Sequence, residues 1–129
     1  MRALRMLVIA VVLSGCASRG GQVAGGHLTL AELASVNQSK LAQLTVGMSK
    51  NDVIALMGNS TAKTGDGVVN NPWTAETFVG KDGAQYEALY YITRKNQPFT
   101  PVRKSLTTGI VLKDGKVVGW GDIALQQYR

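Results

Sequence analysis

The residues with chemistry to offer are few: a carboxylate pair at Glu76 and Glu87, a single cysteine at Cys16 and a single histidine at His27. Two carboxylates flanking a bond are what a glycosidase needs, one as acid and the other as base or nucleophile. If their strands pair through an Asp82-Gly83 turn, Glu76 and Glu87 fall diagonally on one sheet face. That placement describes equally well the solvated side of a half-buried sheet. Nucleophilic catalysis needs a base within hydrogen-bond reach and a third group to orient it. No such set assembles, since Asp66, Asp82 and Asp114 stand in turn sequences and Asp52 at a helix start. A lone histidine without a neighbouring Cys, Asp or second His is a poor metal ligand. The residues therefore offer no catalytic group, metal site or cofactor site, and the chain reads as a binding protein, not an enzyme.

Cys16 has a different chemistry. Arg2 and Arg5 precede the apolar run "MLVIAVVL", Met6 to Leu13, and small residues follow it. A run this short does not span a bilayer, which takes about 20 residues as a helix; basic start, short apolar run and small residues describe a secretory leader. Leu13, Ser14, Gly15 and Cys16 resemble the lipobox of bacterial lipoproteins, which implies cleavage before Cys16 and lipid on its thiol. Residues 1–15 would be the signal peptide. Each buried CH₂ is worth about 0.8 kcal/mol, so two or more acyl chains anchor stably where one does not. Ala17, where inner-membrane retention would want Asp, implies by the same resemblance the outer membrane, periplasmic face. Residues 16–27 then form a glycine-rich tether ending at His27. The net charge of +6 falls to +4 once Arg2 and Arg5 leave with the leader. The remaining basic residues are scattered, and an exported, tethered chain has no use for nucleic acid.

Two surfaces could meet a partner. The loop "TRKNQPFTPVRK", residues 93–104, sets Arg94, Lys95, Arg103 and Lys104 around Pro98, Phe99 and Pro101. It reads either as a docking loop for anionic lipid or an acidic protein patch, with Phe99 as anchor, or as an ordinary solvated loop. The second surface is the sheet face carrying Phe78, Leu89 and Tyr91, which is either a partner-binding face or is covered by a loop or by the tail "ALQQYR".

The elements that must position these residues are legible in part. Thr29 and Glu32 make a capping box for a first helix. Ser49 and Asp52 start a second, Met48 can staple onto Val53, and Gly58 supplies its stop. Residues 59–72 read as a loop. Alternation then replaces helical spacing. With Asp82-Gly83 as a two-residue turn, Val79 faces Tyr86, Thr77 faces Ala88, Ala75 faces Tyr90 and Trp73 faces Ile92, and this set forms the core side. With Asp114-Gly115 in a second turn, Leu112 pairs with Val117, Val111 with Val118, Ile110 with Gly119 and Gly109 with Trp120. The expectation is an α+β domain over residues 28–129, two N-terminal helices packed on an antiparallel meander of three to four strands.

The segment "LTVGMSKNDVIALMGN", residues 44–59, resembles the Val-Gly-Met-(Ser/Thr)-x-x-x-Val-x-x-x-(Met/Leu)-Gly signature of the BamE/SmpA/OmlA-like small outer-membrane lipoproteins. The stretches "YEALYYIT" and "VLKDGKVVGWG" resemble more closely uncharacterised lipoproteins of that fold. The resemblance implies that Gly47, Met48, Val53 and Gly58 are structural and that no catalytic residue is present. It further implies a scaffold or accessory role in envelope integrity or outer-membrane protein assembly, with an envelope protein, the barrel-assembly machinery among the candidates, as partner. An enzyme-inhibiting or small-ligand-binding lipoprotein is the alternative.

Overall fold

The computed structural model describes residues 27–97 and 100–129. The leader, Cys16, the tether as far as Gly26, Pro98 and Phe99 lie outside the described residues. The fold is α+β: helices α1 (Leu30–Leu41) and α2 (Lys50–Met57) precede two antiparallel sheets. The smaller sheet pairs β1 (Ala62–Thr64) with β2 (Gly67–Val69), and the larger runs β3 (Thr74–Val79), β4 (Gln85–Ile92), β5 (Thr107–Lys113) and β6 (Lys116–Trp120) in sequence order. A third helix, α3 (Asp122–Tyr128), closes the chain.

Both expected helix starts are present. Thr29 accepts from the Glu32 N–H at 3.2 Å while the Glu32 carboxylate accepts from the Thr29 N–H at 2.8 Å. Ser49 accepts from the Asp52 N–H at 3.1 Å. Gly58 ends α2 with φ +71°, a conformation a Cβ disfavours. The carbonyl of Met57, otherwise an orphan at the helix end, accepts from Lys40 Nζ at 3.0 Å and Asn71 Nδ2 at 3.2 Å.

The loop read over residues 59–72 is corrected by the hairpin β1–β2, on which Leu28 rests through a parallel bridge to Ala62. The strands are short, and their turn-forming residues conceal them. The first hairpin of the main sheet is also corrected. Its loop holds three residues, Lys81, Asp82 and Gly83, with Gly83 donating to the Gly80 carbonyl at φ +79° and Gly80 donating to Ala84. A type I turn followed by a left-handed glycine is a common three-residue solution. Phe78 therefore faces Tyr86, Glu76 faces Ala88 and Thr74 faces Tyr90. One residue of slip turns β3 over relative to β4.

The two faces of the sheet follow from that register. Leu89, Tyr91, Ile110, Leu112 and Val117 face α2 and the segment before it, buried with Leu44, Val53 and Met57. Each such side chain fully removed from water contributes about 1.5–3 kcal/mol. Tyr86 and Val111 lie on the other face with Ala124 of α3, and Phe78, Leu125 and Tyr128 close over them. In the second hairpin Asp114 (φ +51°) and Gly115 (φ +73°) form the expected turn and Leu112 pairs with Val117. A bulge then shifts the register, so Val111 faces Gly119 and Ile110 faces Trp120, in place of the expected pairs. The space over Gly109 is taken by Tyr90 and Leu125, not by Trp120.

Candidate functional site

Where the chain enters the described body, His27 Nδ1 lies 2.6 Å from Thr61 Oγ1, and Leu28 exchanges backbone bonds with Thr61 and Lys63. This entry point stands beside the N-terminus of α1. A cleft of about 350 Å³ opens there, lined by Thr29, Leu30, Lys63, Gly65, Lys95 and Gln97. A second, of about 370 Å³, lies between α1 at Ala31, Ser35 and Gln38 and the segment Thr93–Lys95. Lys95 lines both, so two exposed ammonium groups and the Arg94 guanidinium gather at one end of the molecule. Arg94 is held there by a bond from Nη1 to the Ser105 carbonyl at 3.0 Å. The arrangement can attract an anionic surface.

The basic loop thus divides. Arg94 and Lys95 join the pole at α1, and Arg103 is exposed at the foot of a 3₁₀ turn, Lys104–Leu106. Lys104 turns back onto the sheet, 2.8 Å from Glu76 Oε2 and 4.5 Å above the Tyr90 ring centre. Lys104 stays exposed, but a carboxylate and a ring face hold its ammonium against the sheet. Phe99, the expected anchor, lies outside the described residues.

Glu76 is the hub of this second site. It accepts from Lys104, from the Tyr90 hydroxyl at 2.7 Å and from Arg129, whose Nη2 also lies 3.1 Å from that hydroxyl. Arg129 in turn covers the Phe78 ring at 4.9 Å, fastening the end of α3 to β3. The Lys104 ammonium, then the Tyr90 hydroxyl, hold the Glu76 carboxyl down at about 2, against 4.5 ordinarily. Burial first, then the bond to Glu76, pushes the Tyr90 hydroxyl up to about 12. A fixed anion and a fixed neutral phenol do not exchange protons near neutral pH. The hub is a clasp.

The carboxylate pair is dissolved by the register. Glu87 lies on the opposite face from Glu76, 2.7 Å from Lys50 of α2. Leu89 and Tyr91 are corrected by the packing of α2: they are 3% and 0% exposed beneath it, so they present nothing to a partner. Phe78 is half-buried on the far face, stacked on Tyr86 at 5.5 Å and covered by Arg129. The alternative of coverage by the tail holds for Phe78, while helices cover the other two. Asn37 and Asn71 are buried and bonded to each other at 2.9 and 3.0 Å, tying α1 to the Ile92 carbonyl and the end of α2. Asn37 interrupts the apolar spacing of Leu30, Leu33, Val36 and Leu41, and that interruption is the signal the sequence carries.

Among the described residues no His, Cys, Asp and Glu side chains gather in a way that could hold a metal ion, and no helix is long and apolar enough to cross a membrane. A search of the curated proteins found no match, and a search of the solved structures found none. One family model does match, over residues 25–127, reaching the penultimate residue of α3: the chain belongs to the family described as protein of unknown function (DUF3192).

Proposed function

We propose that this chain is an outer-membrane lipoprotein, anchored through Cys16 on the periplasmic side, that acts without catalysis by binding an envelope protein and holding it near the membrane. The observation that carries the reading is the leader, a basic start and apolar run ending in Leu13-Ser14-Gly15-Cys16. The position of the cationic pole supports it. Lys63 and Lys95 flank the cleft at the entry point of the chain, so residues 16–26, which reach at most about 40 Å when extended, would keep that pole near anionic headgroups. Each lysine close to such a surface is worth about 1 kcal/mol. The likeness of residues 44–59 to BamE/SmpA/OmlA-like lipoproteins supports a scaffold role in envelope integrity or outer-membrane protein assembly. Tethering raises the effective concentration of domain and partner without any new contact.

The test is palmitate labelling and membrane fractionation of wild type beside Cys16→Ser, followed by crosslinked pull-down and mass spectrometry. Label and outer-membrane recovery lost in the variant, with an envelope protein captured by wild type alone, is the expected result. Unchanged labelling and fractionation of Cys16→Ser would overturn the anchor.

A further inference from the structure

The main sheet has two edges, and among the described residues only one is closed. Along β6 the segment before α2 supplies the missing partners: Gly47 donates to the Val117 carbonyl at 2.8 Å, Val117 to Met48 at 2.9 Å and Lys50 to Gly115 at 2.8 Å. Along β3 nothing comparable is present among the described residues. Gly80 donates to Ala84, so hydrogen-bonded pairs recur at Phe78–Tyr86, Glu76–Ala88 and Thr74–Tyr90. Ala75, Thr77 and Val79 then turn their N–H and C=O groups outward. Their side chains are exposed as well, Val79 by 70%. Charges that would guard such an edge are absent from its outward positions, since Glu76 belongs to the inward set and is clasped by Lys104 and Arg129.

We infer that β3 pairs antiparallel with β3 of a second copy of this chain, joining two four-stranded sheets into one of eight strands. The outward groups fix the register. Only with Thr77 opposite Thr77 of the second copy do all three outward residues find outward partners, Ala75 meeting Val79 and Val79 meeting Ala75. Each pair exchanges two bonds, so the edge gains six. The side chains agree with that register: threonine opposite threonine and small opposite larger aliphatic are favourable cross-strand pairs. Glu76 falls opposite Phe78, so no like charges stand directly across. The two-fold axis is perpendicular to the sheet, which leaves α1 and α2 of both copies on the same side.

The test is disulfide trapping with the full chain in phospholipid vesicles, the linked peptides mapped by mass. Paired residues of this kind have Cα atoms about 5.5 Å apart, within disulfide reach. Thr77→Cys is expected to give a covalent dimer on mild oxidation. Val79→Cys alone is expected to give none, its copies being offset by four residues, about 13 Å along the strand. Ala75→Cys mixed with Val79→Cys is expected to link, and adding Thr77→Pro to both, which removes only an outward N–H, to abolish that link. An accessible Thr77→Cys that stays monomeric, or links only to a different protein, would overturn the pairing. Val79→Cys linking to itself would overturn the register.

Discussion

Tyr90 and Tyr91 are neighbours with opposite energetics. The Tyr91 hydroxyl is buried among Leu44, Val53, Met57 and Ile110 with no hydrogen-bond partner among the described residues, and burial pushes it up to about 12. A hydroxyl taken from water without a partner costs about 1–3 kcal/mol. Tyr91→Phe removes that cost and leaves a void of about 10 Å³, which returns only about 0.2 kcal/mol. The variant should be more stable by about 1–2 kcal/mol, with a thermal midpoint about 4–8 °C higher. Tyr90→Phe makes the same chemical change where the hydroxyl bonds Glu76 and Arg129. It should lose about 1–2 kcal/mol, the worth of bonds to charged groups less their solvent exposure. Urea unfolding at pH 7, in a Cys16→Ser background that would lack the proposed lipid, measures both. An unchanged slope with a shifted midpoint would mean that stability, not compactness, has moved. A destabilised Tyr91→Phe would refute the reasoning, because the hydroxyl would then have a partner in solution.

Three further outcomes follow from the same packing. Glu76, lowered to about 2 by Lys104 first, stabilises the fold above its unfolded value near 4.5, and the contribution is lost as pH falls toward 2. Glu76→Gln should therefore be about 1 kcal/mol less stable than wild type at pH 7, a figure reduced for solvent screening, and the two should converge only below about pH 2, as acid-dependent unfolding curves would register. Asn37→Ala and Asn71→Ala should each cost about 2–3 kcal/mol by orphaning the other's amide, and a double-mutant cycle should return a coupling above 0.5 kcal/mol. Gly109→Ala would put a Cβ 3.0 Å from the Tyr90 ring and 3.1 Å from Leu125, a crowding worth about 1–3 kcal/mol, visible as earlier amide exchange in α3 than elsewhere.

The parts of this fold that could be read from the sequence are those fixed by contacts a few residues apart. Thr29 with Glu32, Ser49 with Asp52, the glycine stop at Gly58 and the Asp114-Gly115 turn all close within one or two turns of chain, and each is found in place. The register of β3 on β4 depended on whether the turn held two residues or three, and "GKDG" permits both. That single residue decided the place of Phe78 and of the carboxylate pair. It took Phe78 to the far face and separated Glu76 from Glu87, while Leu89 and Tyr91 are covered because α2 packs on their side of β4. The α3 helix escaped notice because it is one short segment with Gly121 in place of a side-chain cap. Its burial is decided by Gly109 and Gly119, whose missing side chains make the room it occupies. The Lys104 clasp was unreadable for a related reason: nothing near residue 104 in sequence announces a carboxylate on β3.

These corrections also narrow where recognition can occur. A sheet with one bare face would have offered partners a broad surface, as the alternation of β4 suggested. With α2 on one side and α3 on the other, the interior of this sheet is occupied, and its apolar residues are spent on folding. What is left to a partner is the perimeter: the cationic end beside His27, the outward groups of Ala75, Thr77 and Val79, and single apolar residues such as Val46 and Ile123, which are 69% and 82% exposed. Of these, only the β3 edge combines unpaired backbone with small uncharged side chains, and backbone pairing makes few demands on the partner's sequence. Edge recognition also tolerates change in the side chains around it. A second copy meeting this edge therefore needs only the same three outward residues, Ala75, Thr77 and Val79, in the register that sets Thr77 opposite itself.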